Sequence, residues 1–178
     1  YYLGAYLGNG CSYDFSILIN IDHDKEIYDT ISNICENSNH KLSVKERNKY
    51  RKDYNHRMID VLPSKCLKYK FSLKETVRSY TKEFKKLLLS KKHIPEIYFH
   101  SDIKQRRELL AGLLDTDGYY NKSKYRYEIH VKNELLKNDI VRLCTSLGLS
   151  CRYYKITELN EKSTVVNKTT TGYRLRIT

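Results

Sequence analysis

Several features that mark other classes of protein are missing from this sequence. Its longest apolar runs fall well short of the ~20 residues that a membrane-spanning helix needs, and no signal-peptide pattern opens the chain. These absences predict an intracellular protein of the cytoplasm or nucleus, neither secreted nor bound in a membrane. The chain also lacks an initiator methionine and opens inside an apolar stretch, which indicates a segment of a longer polypeptide.

The cysteines and histidines form no metal-binding or redox pattern. The five cysteines include no CxxC pair, and none has a histidine at the spacing of a zinc site. The six histidines are equally scattered. An odd cysteine count without an export signal fits a reducing compartment, so we expect structural or buried thiols.

A strongly basic balance is the first functional clue. The 178 residues, 40% apolar and 30% charged, suffice for one core or two small packed halves. Thirty-three Lys and Arg against 21 Asp and Glu leave a net charge of +12, which favours polyanionic partners. The alternative is a basic surface that serves solubility. The seventeen tyrosines are not assigned to base stacking, because an AT-rich coding sequence or strand packing explains them equally well.

Apolar periodicity divides the first part of the chain into alternating helices and strands. It predicts helices at 1–8, 24–37 and 76–90 and strands at 15–19, 40–44 and 66–73. The first helix is expected to end in a left-handed cap at Gly10. The polar, basic stretch at 45–57 is a predicted loop or long hairpin tip.

The same order of elements begins again after Pro95. Helices are predicted at 103–116 and 134–147, the latter capped by Gly148, and strands within 119–132, 150–159 and 173–178. The two leading helices end 108 residues apart, at Gly10 and Gly118, which indicates an internal duplication. We therefore expect an α+β fold of two pseudo-symmetric helix–strand–helix–strand repeats, residues 1–100 and 101–178, the second without a closing helix.

The two leading helices carry related nine-residue motifs. The second reads Leu-Ala-Gly-Leu-Leu-Asp-Thr-Asp-Gly over 110–118 and matches the LAGLIDADG motif at seven of nine positions. The first, Tyr-Leu-Gly-Ala-Tyr-Leu-Gly-Asn-Gly over 2–10, resembles the LGxxLGDG variant of intein-encoded members. With two such motifs, each opening a helix–strand–helix unit, the chain is identified as a member of the LAGLIDADG homing endonuclease family, closest to the intein-encoded kind.

The residue types of the motifs also make physical sense. Gly4, Ala5 and Gly8 share one helical face, and small residues of this kind let two helices pack backbone to backbone. Asp117 lies at a helix C-terminus, where the macrodipole disfavours a carboxylate by about 0.3–1 kcal/mol unless a cation shares the site. A divalent metal bound by hard oxygens explains it; the alternative is a plain turn residue before a glycine.

The family resemblance implies a fold, an activity and a set of site residues. Curved antiparallel sheets of the two halves form a saddle along the major groove of double-stranded DNA, over a long asymmetric target site. Mg²⁺-dependent hydrolysis cuts both strands, and the resemblance implies that the chain acts as a monomer. Asp117, Asn9 and Lys92 take the catalytic positions, and the predicted metal ligands are Asp117, Asn9, Gly8 and Thr116. Predicted DNA contacts come from basic residues in strand-like segments: Lys68, Lys70, Lys122, Lys124, Arg126, His130, Lys132, Arg174 and Arg176.

Lys92 opens a second stretch that resembles the family. The sequence Lys-His-Ile-Pro at 92–95 is similar to the K-x-I-P block of intein endonucleases, which implies an active-site lysine; the alternative is an ordinary surface lysine. The chain ends before a corresponding block of the second half could occur, and intein splicing motifs are absent. Protein splicing is therefore not expected, although the domain could belong to a larger intein or host protein.

Asn9 stands where the family places its first catalytic acid. Asn offers a carbonyl ligand without charge, so the resemblance implies weaker metal binding, with DNA binding retained. The chain would cleave poorly or nick one strand, whether the residue reflects natural decay or an engineered change. Two alternatives stay open: a non-cleaving DNA- or RNA-binding protein on the same scaffold, such as a maturase or regulator, and a protein-interaction domain with a basic surface.

Overall fold

A computed structural model describes residues 1–10, 16–20, 24–37, 41–46, 50–52, 58–60, 66–72, 92–159 and 169–178. The chain divides into two compact units. The discontinuous unit consists of Tyr1–Gly8 together with Leu87–Thr178, and the inserted unit is Asn9–Lys86. Helix α1 (Tyr2–Asn9) begins in the discontinuous unit and leads into the inserted one.

The inserted unit is built on an antiparallel sheet. Its elements in chain order are β1 (Ser16–Asn20), α2 (Lys25–Asn37), β2 (Lys41–Glu46), β3 (Tyr50–Lys52), β4 (Met58–Asp60) and β5 (Cys66–Ser72). The sheet order is β1-β5-β2, and β3 and β4 form a separate hairpin. For the stretch 45–57 the sequence predicts either a loop or a long hairpin tip, and the β3–β4 pairing agrees with the hairpin. The helix expected at 76–90 lies outside the described residues.

Helix α2 packs through the face that its periodicity predicts. Ile27, Ile31 and Cys35 are buried at a spacing of four residues, as one face of an α-helix requires. On strand β1, Ile17 and Ile19 are also buried, which agrees with the two-residue period of a strand. The inserted unit therefore has an apolar core of its own.

The discontinuous unit has a four-stranded sheet and two long helices among its described residues. After a short 3₁₀ helix (Glu96–His100) come α3 (Ile103–Asp117), β6 (Gly118–Asn121), a 3₁₀ turn (Lys122–Lys124), β7 (Arg126–Val131), α4 (Glu134–Ser146), β8 (Cys151–Leu159) and β9 (Thr169–Ile177). The sheet order is β6-β7-β9-β8, antiparallel throughout. Asp102 caps the N-terminus of α3 by accepting a hydrogen bond from the Gln105 backbone N–H at 2.7 Å.

The two faces of this sheet differ in chemistry. Ile129, Val131, Leu175 and Ile177 point to one side and are buried, together with apolar residues of α3 and α4. The alternate positions of β7 carry polar side chains, beginning with Arg126. One face therefore belongs to the core, and the other is available for polar contacts.

The two units repeat one topology, as the duplication predicts. The order β1-β5-β2 in the inserted unit corresponds to β7-β9-β8 in the discontinuous unit. In each unit the glycine that ends the motif pairs antiparallel with a buried isoleucine, Gly10 with Ile17 and Gly118 with Ile129. The predicted left-handed cap at Gly10 is wrong, because Gly10 has no positive φ and pairs in the extended region instead. Gly148, with φ of 75°, is a left-handed residue after α4, as predicted.

No helix within the described ranges is both long enough and apolar enough to span a bilayer. Three cysteines of those ranges, Cys35, Cys144 and Cys151, are free thiols. Cys35 and Cys144 are buried and Cys151 is partly exposed, in agreement with the expected structural thiols.

Candidate active site

The motif helices α1 and α3 meet backbone to backbone within the discontinuous unit. A Cβ atom placed on Gly4 would lie 1.9 Å from the Leu109 carbonyl oxygen, and one on Gly112 would lie 2.1 Å from the Tyr1 carbonyl oxygen. Only glycine fits at such distances, because a carbon and an oxygen atom need about 3.3 Å. The predicted role of the small motif residues is confirmed at these two positions.

This close packing brings Asp117 to the end of helix α1. Asp117 is the last residue of α3, and the following Gly118 N–H donates to the Leu114 carbonyl. A Cβ on Gly8 would lie 3.3 Å from the Cβ of Asp117. Burial of part of the carboxyl group raises the pKa of Asp117, and electrostatic interactions with Lys92 and His130 partly offset that rise. Asp117 keeps solvent access, so the structure holds a partly desolvated acid at an open site.

Lys92 supplies the cation beside this acid. Its Nζ donates hydrogen bonds to the main-chain carbonyls of Leu7 at 3.1 Å and Gly8 at 3.0 Å, and it lies 5.7 Å from the ring centre of Tyr6. An ammonium group on the last carbonyls of a helix compensates the negative end of the macrodipole. Lys92 is thus directed into the site and differs in this respect from an ordinary surface lysine.

The backbone around Lys92 is anchored to helix α4. Asn133, the N-cap of α4, donates from Nδ2 to the Lys92 carbonyl at 2.7 Å and accepts at Oδ1 from the Leu135 N–H. Asp139 accepts from the Ile94 N–H at 2.8 Å. Sequence patterns do not place Asn133 or Asp139 at the site. An asparagine before a helical pattern signals a cap, but its bond to a residue 41 positions away is a long-range contact.

The oxygen atoms around Asp117 suit a hard divalent cation, although they do not form a complete site of side chains. Among the described residues, no three His, Cys, Asp or Glu side chains lie together as metal ligands. The Thr116 hydroxyl donates to the Gly112 carbonyl at 2.9 Å, within its own helix. The Gly8 carbonyl accepts from Lys92. A hard divalent cation here would be held by the Asp117 carboxylate together with main-chain or water oxygens; the ligand roles of Gly8, Thr116 and the exposed Asn9 stay predictions.

The predicted DNA-binding residues fall into two groups in the discontinuous unit. Exposed lysines lie at the β6–β7 turn and after β7, namely Lys122, Lys124 and Lys132. Side chains on the polar sheet face are held by neighbours: His130 accepts from Arg174 Nε, and Tyr154 Oη accepts from Arg174 at 3.3 Å and Arg176 at 2.9 Å. The remaining member of the sheet-face group, Arg126, bonds to an acid on its own strand.

The two lysines predicted in the inserted unit lie on β5. The register pairs Lys68 with Leu18 and Lys70 with Ser16, whereas the buried Ile17 and Ile19 pair with other residues of that strand. Lys68 and Lys70 therefore occupy positions that alternate with the core positions. The structure describes the strand at Lys68 and Lys70 but not their side chains, so their contact with DNA stays a prediction.

Comparison with known families shows what the second half of the chain is similar to. The family described as homing endonuclease matches residues 93–178, which include α3 with its LAGLIDADG-like motif and the whole four-stranded sheet. Over this stretch, just under half of its length, the chain is similar to the homing endonuclease family. Its two motif helices pack through their glycines and bring a motif acid and a lysine to one place, as the family resemblance implies.

Curated proteins match this chain over shorter stretches. The replicative DNA helicase DnaB of Mycobacterium intracellulare is 45% identical over 65 residues, which cover 36% of the chain and 11% of that protein. The homothallic switching endonuclease of Saccharomyces cerevisiae is 36% identical over 73 residues, which cover 38% of the chain and 12% of that protein. The matches thus span only about a tenth of either relative.

Solved structures match over nearly the whole length. A variant of I-DmoI in complex with its target DNA in the presence of Mn has a TM-score of 0.55 and 15% identity, and the match covers 99% of the chain and 84% of that structure. I-DmoI in complex with DNA and Ca has a TM-score of 0.54 and 15% identity, with 99% and 80% covered. At this identity the likeness shows a common LAGLIDADG fold.

Proposed function

We propose that the chain is a site-specific endonuclease domain that binds double-stranded DNA and hydrolyses its phosphodiester bonds with a divalent metal. One observation carries this proposal: Asp117, a partly desolvated carboxylate at the end of α3, faces Lys92, whose ammonium group bonds to the last carbonyls of α1. A carboxylate in such surroundings is costly without a cation. A catalytic role of Asp117 would explain why the protein tolerates this free-energy cost.

The residues of the site divide the work of phosphodiester hydrolysis among them. Asp117 holds the metal, and Mg²⁺ when bound lowers the pKa of a water molecule and neutralises phosphate charge. Lys92 stabilises negative charge that develops on the phosphate. Asn133 and Asp139 fix the Lys92 segment, so that the ammonium group is already oriented before DNA arrives. These roles follow from the chemistry of the groups and their contacts.

Asn9 lowers the expected activity of the chain. It occupies the motif position that corresponds to Asp117 and contributes no negative charge. We therefore propose impaired cleavage, or nicking of one strand, with DNA binding retained because the basic residues of the sheet do not depend on Asn9. The K-x-I-P-like block around Lys92 supports the intein-encoded kind of endonuclease, active as a monomer and carried by a larger host protein.

A plasmid assay tests this proposal. Supercoiled plasmids carrying a library of candidate sites are incubated with the chain and Mg²⁺, and nicked and linear products are separated on a gel. We expect nicking or slow linearisation by the chain, faster linearisation after Asn9→Asp, and no product after Asp117→Asn. Rapid linearisation by the unaltered chain would refute the impairment, and absence of product after Asn9→Asp would refute the endonuclease function.

A second function is favoured by Asn9 itself. A member of this family that has lost one acid can serve as a DNA- or RNA-binding protein without cleavage. Gel shifts with duplex DNA and with structured RNA distinguish the two ligands. If the chain only binds nucleic acid, the sequence-selective complex would form without metal. Neither the addition of Mg²⁺ nor the substitution Asn9→Asp would then produce cleaved ends.

A further inference from the structure

An acid lies in the middle of the basic sheet face, and no role has been assigned to it. Glu128 is on β7 and lies directly across from Arg176 of β9, while the next polar pair of the same two strands is His130 and Arg174. The register of β8 adds Arg152 beside Arg176. Glu128 is therefore an acid with arginines beside it on this face.

The carboxylate of Glu128 holds one arginine by two hydrogen bonds. Arg126 donates from Nε at 2.8 Å and from Nη2 at 2.6 Å, both to Oε1 of Glu128. The side chains are 16% and 14% exposed, so neighbouring protein covers most of the pair and leaves part of it at the surface. The bonds from Arg126, followed by the charges of Arg176 and Arg174, lower the pKa of Glu128, and the acid therefore stays ionised at neutral pH.

The two arginines of β9, Arg174 and Arg176, share an uncharged neighbour. The Tyr154 hydroxyl accepts from Arg174 and Arg176, and its ring centre lies 5.8 and 4.6 Å from their guanidinium carbons. Tyr154 can orient these groups without removing positive charge. Glu128 both orients Arg126 and removes one charge from a surface that has to attract DNA.

A carboxylate lowers the affinity of a basic surface for DNA phosphates. The presence of Glu128 therefore implies a benefit other than affinity. Nonspecific affinity for DNA comes from phosphate contacts, whereas arginine recognises guanine through a planar pair of donors. An arginine that is already paired and oriented loses less side-chain freedom when it meets a base edge. The same pairing makes it a poorer ligand for phosphates at random positions.

We propose that Glu128 is a specificity-determining residue of the DNA-binding face, which orients Arg126 for a guanine edge and opposes its use on the phosphates of non-target DNA. This inference rests on the proposed binding of duplex DNA. Glu128 acts through Arg126 and is therefore a positioning residue. It affects discrimination between sequences and has no part in the hydrolytic step.

The test compares Glu128→Gln with Glu108→Gln in the full chain. Glu108 is an exposed acid of α3, so its replacement makes the same change of net charge away from the sheet face. Binding to a fixed random-sequence duplex is measured from 50 to 200 mM salt, and preferred sites are selected from a randomised duplex library. Circular dichroism establishes that each variant is folded.

We expect Glu128→Gln to bind random duplex more tightly and to depend more steeply on salt. One added phosphate contact steepens the log–log slope by about 0.9, which corresponds to an additional loss of about 3.5-fold between 50 and 200 mM salt. The selected sites should also lose their preference for guanine at one position. Equal slopes and unchanged selected sites in Glu128→Gln and Glu108→Gln would overturn the inference.

A double-mutant cycle with Arg126→Gln separates positioning from a general effect of charge. In the Arg126→Gln background, adding Glu128→Gln should change random-duplex affinity no more than adding Glu108→Gln does. A full effect of Glu128→Gln without Arg126 would overturn the positioning role. Failure of the unaltered chain to select any duplex sequence would instead refute the proposed function, so the two failures are distinguishable. If Glu128→Gln does not fold, Arg126→Gln alone must abolish the guanine preference, and a retained preference would refute the inference.

Discussion

The contact between the motif helices gives the sharpest quantitative prediction, for the substitution Gly4→Ala. The new Cβ would lie 1.9 Å from the Leu109 carbonyl oxygen and 2.8 Å from the Leu113 backbone nitrogen. All of these facing atoms belong to the backbone of α3. No change of side-chain rotamer relieves the clash, and one helix has to move away from the other.

The magnitude follows from two opposing effects. A carbon–oxygen contact needs about 3.3 Å, so the shortfall is about 1.4 Å. Overpacking of this kind costs about 1–3 kcal/mol or more, and we expect the upper part of that range because backbone meets backbone. The higher helix propensity of alanine offsets about 1 kcal/mol. The expected net loss is about 2 kcal/mol, or roughly 4–8 °C in Tm for a chain of this size.

Thermal unfolding of Gly4→Ala beside Gly148→Ala checks the reasoning. Gly148 has φ of 75°, and no atom lies within 4 Å of the position that a Cβ would take there. Its replacement therefore costs only backbone strain, about 1 kcal/mol. The close approach of α1 and α3 predicts the larger loss for Gly4→Ala. A loss for Gly4→Ala equal to or smaller than that for Gly148→Ala would refute the backbone contact.

Three further predictions concern the acid, the anchoring asparagine and a thiol pair. Because the folded protein raises the pKa of Asp117, ionised Asp117 destabilises the fold, and stability is lost as pH rises from the unfolded to the folded pKa. Asp117→Asn should therefore raise the Tm at neutral pH, and Mg²⁺ or Mn²⁺ should raise the Tm of the unaltered chain but not of this variant. Asn133→Ala should lower the stability by about 1 kcal/mol through loss of an N-cap and should also slow plasmid cleavage by the Asn9→Asp chain. The control Asp102→Ala removes an N-cap elsewhere and should lower the stability alone. Equal cleavage rates of these two variants in the Asn9→Asp chain would contradict the anchoring of Lys92. A hydrogen bond with Cys144 lowers the pKa of Cys151, so iodoacetamide should alkylate Cys151 before the buried Cys35 and Cys144 at neutral pH. Alkylation of Cys151 should be slower after Cys144→Ala, as peptide mass spectrometry would show.

Local patterns predict the helices and the motif acid well. The apolar period indicates a helix at 103–116, and α3 extends over Ile103–Asp117, because a strong period and a following glycine mark its length and end. Strand β9 begins at Thr169 rather than at the expected 173. Its first residues are paired with β8, and such cross-strand pairing has no local signal in a run of threonines.

Contacts between distant segments are beyond the reach of sequence patterns. The bond between Asn133 and the Lys92 carbonyl depends on the docking of α4 beside the Lys92 segment, and the spacing of the two residues does not indicate it. Glu128 likewise resembles any exposed acid of a strand until the register places it opposite Arg176. Periodicity predicts which face of an element is buried, whereas three-dimensional packing decides which polar groups meet on the other face.

The order of the units along the chain has a consequence for synthesis on the ribosome. Helix α1 emerges before α3, on which its glycine face packs, and the whole inserted unit is synthesised between the two helices. At about 5–20 residues per second, α1 waits for several seconds or more without its partner. During that interval the strands and helix of the inserted unit are all available to one another. The inserted unit is therefore complete in sequence before α1 can pack on α3.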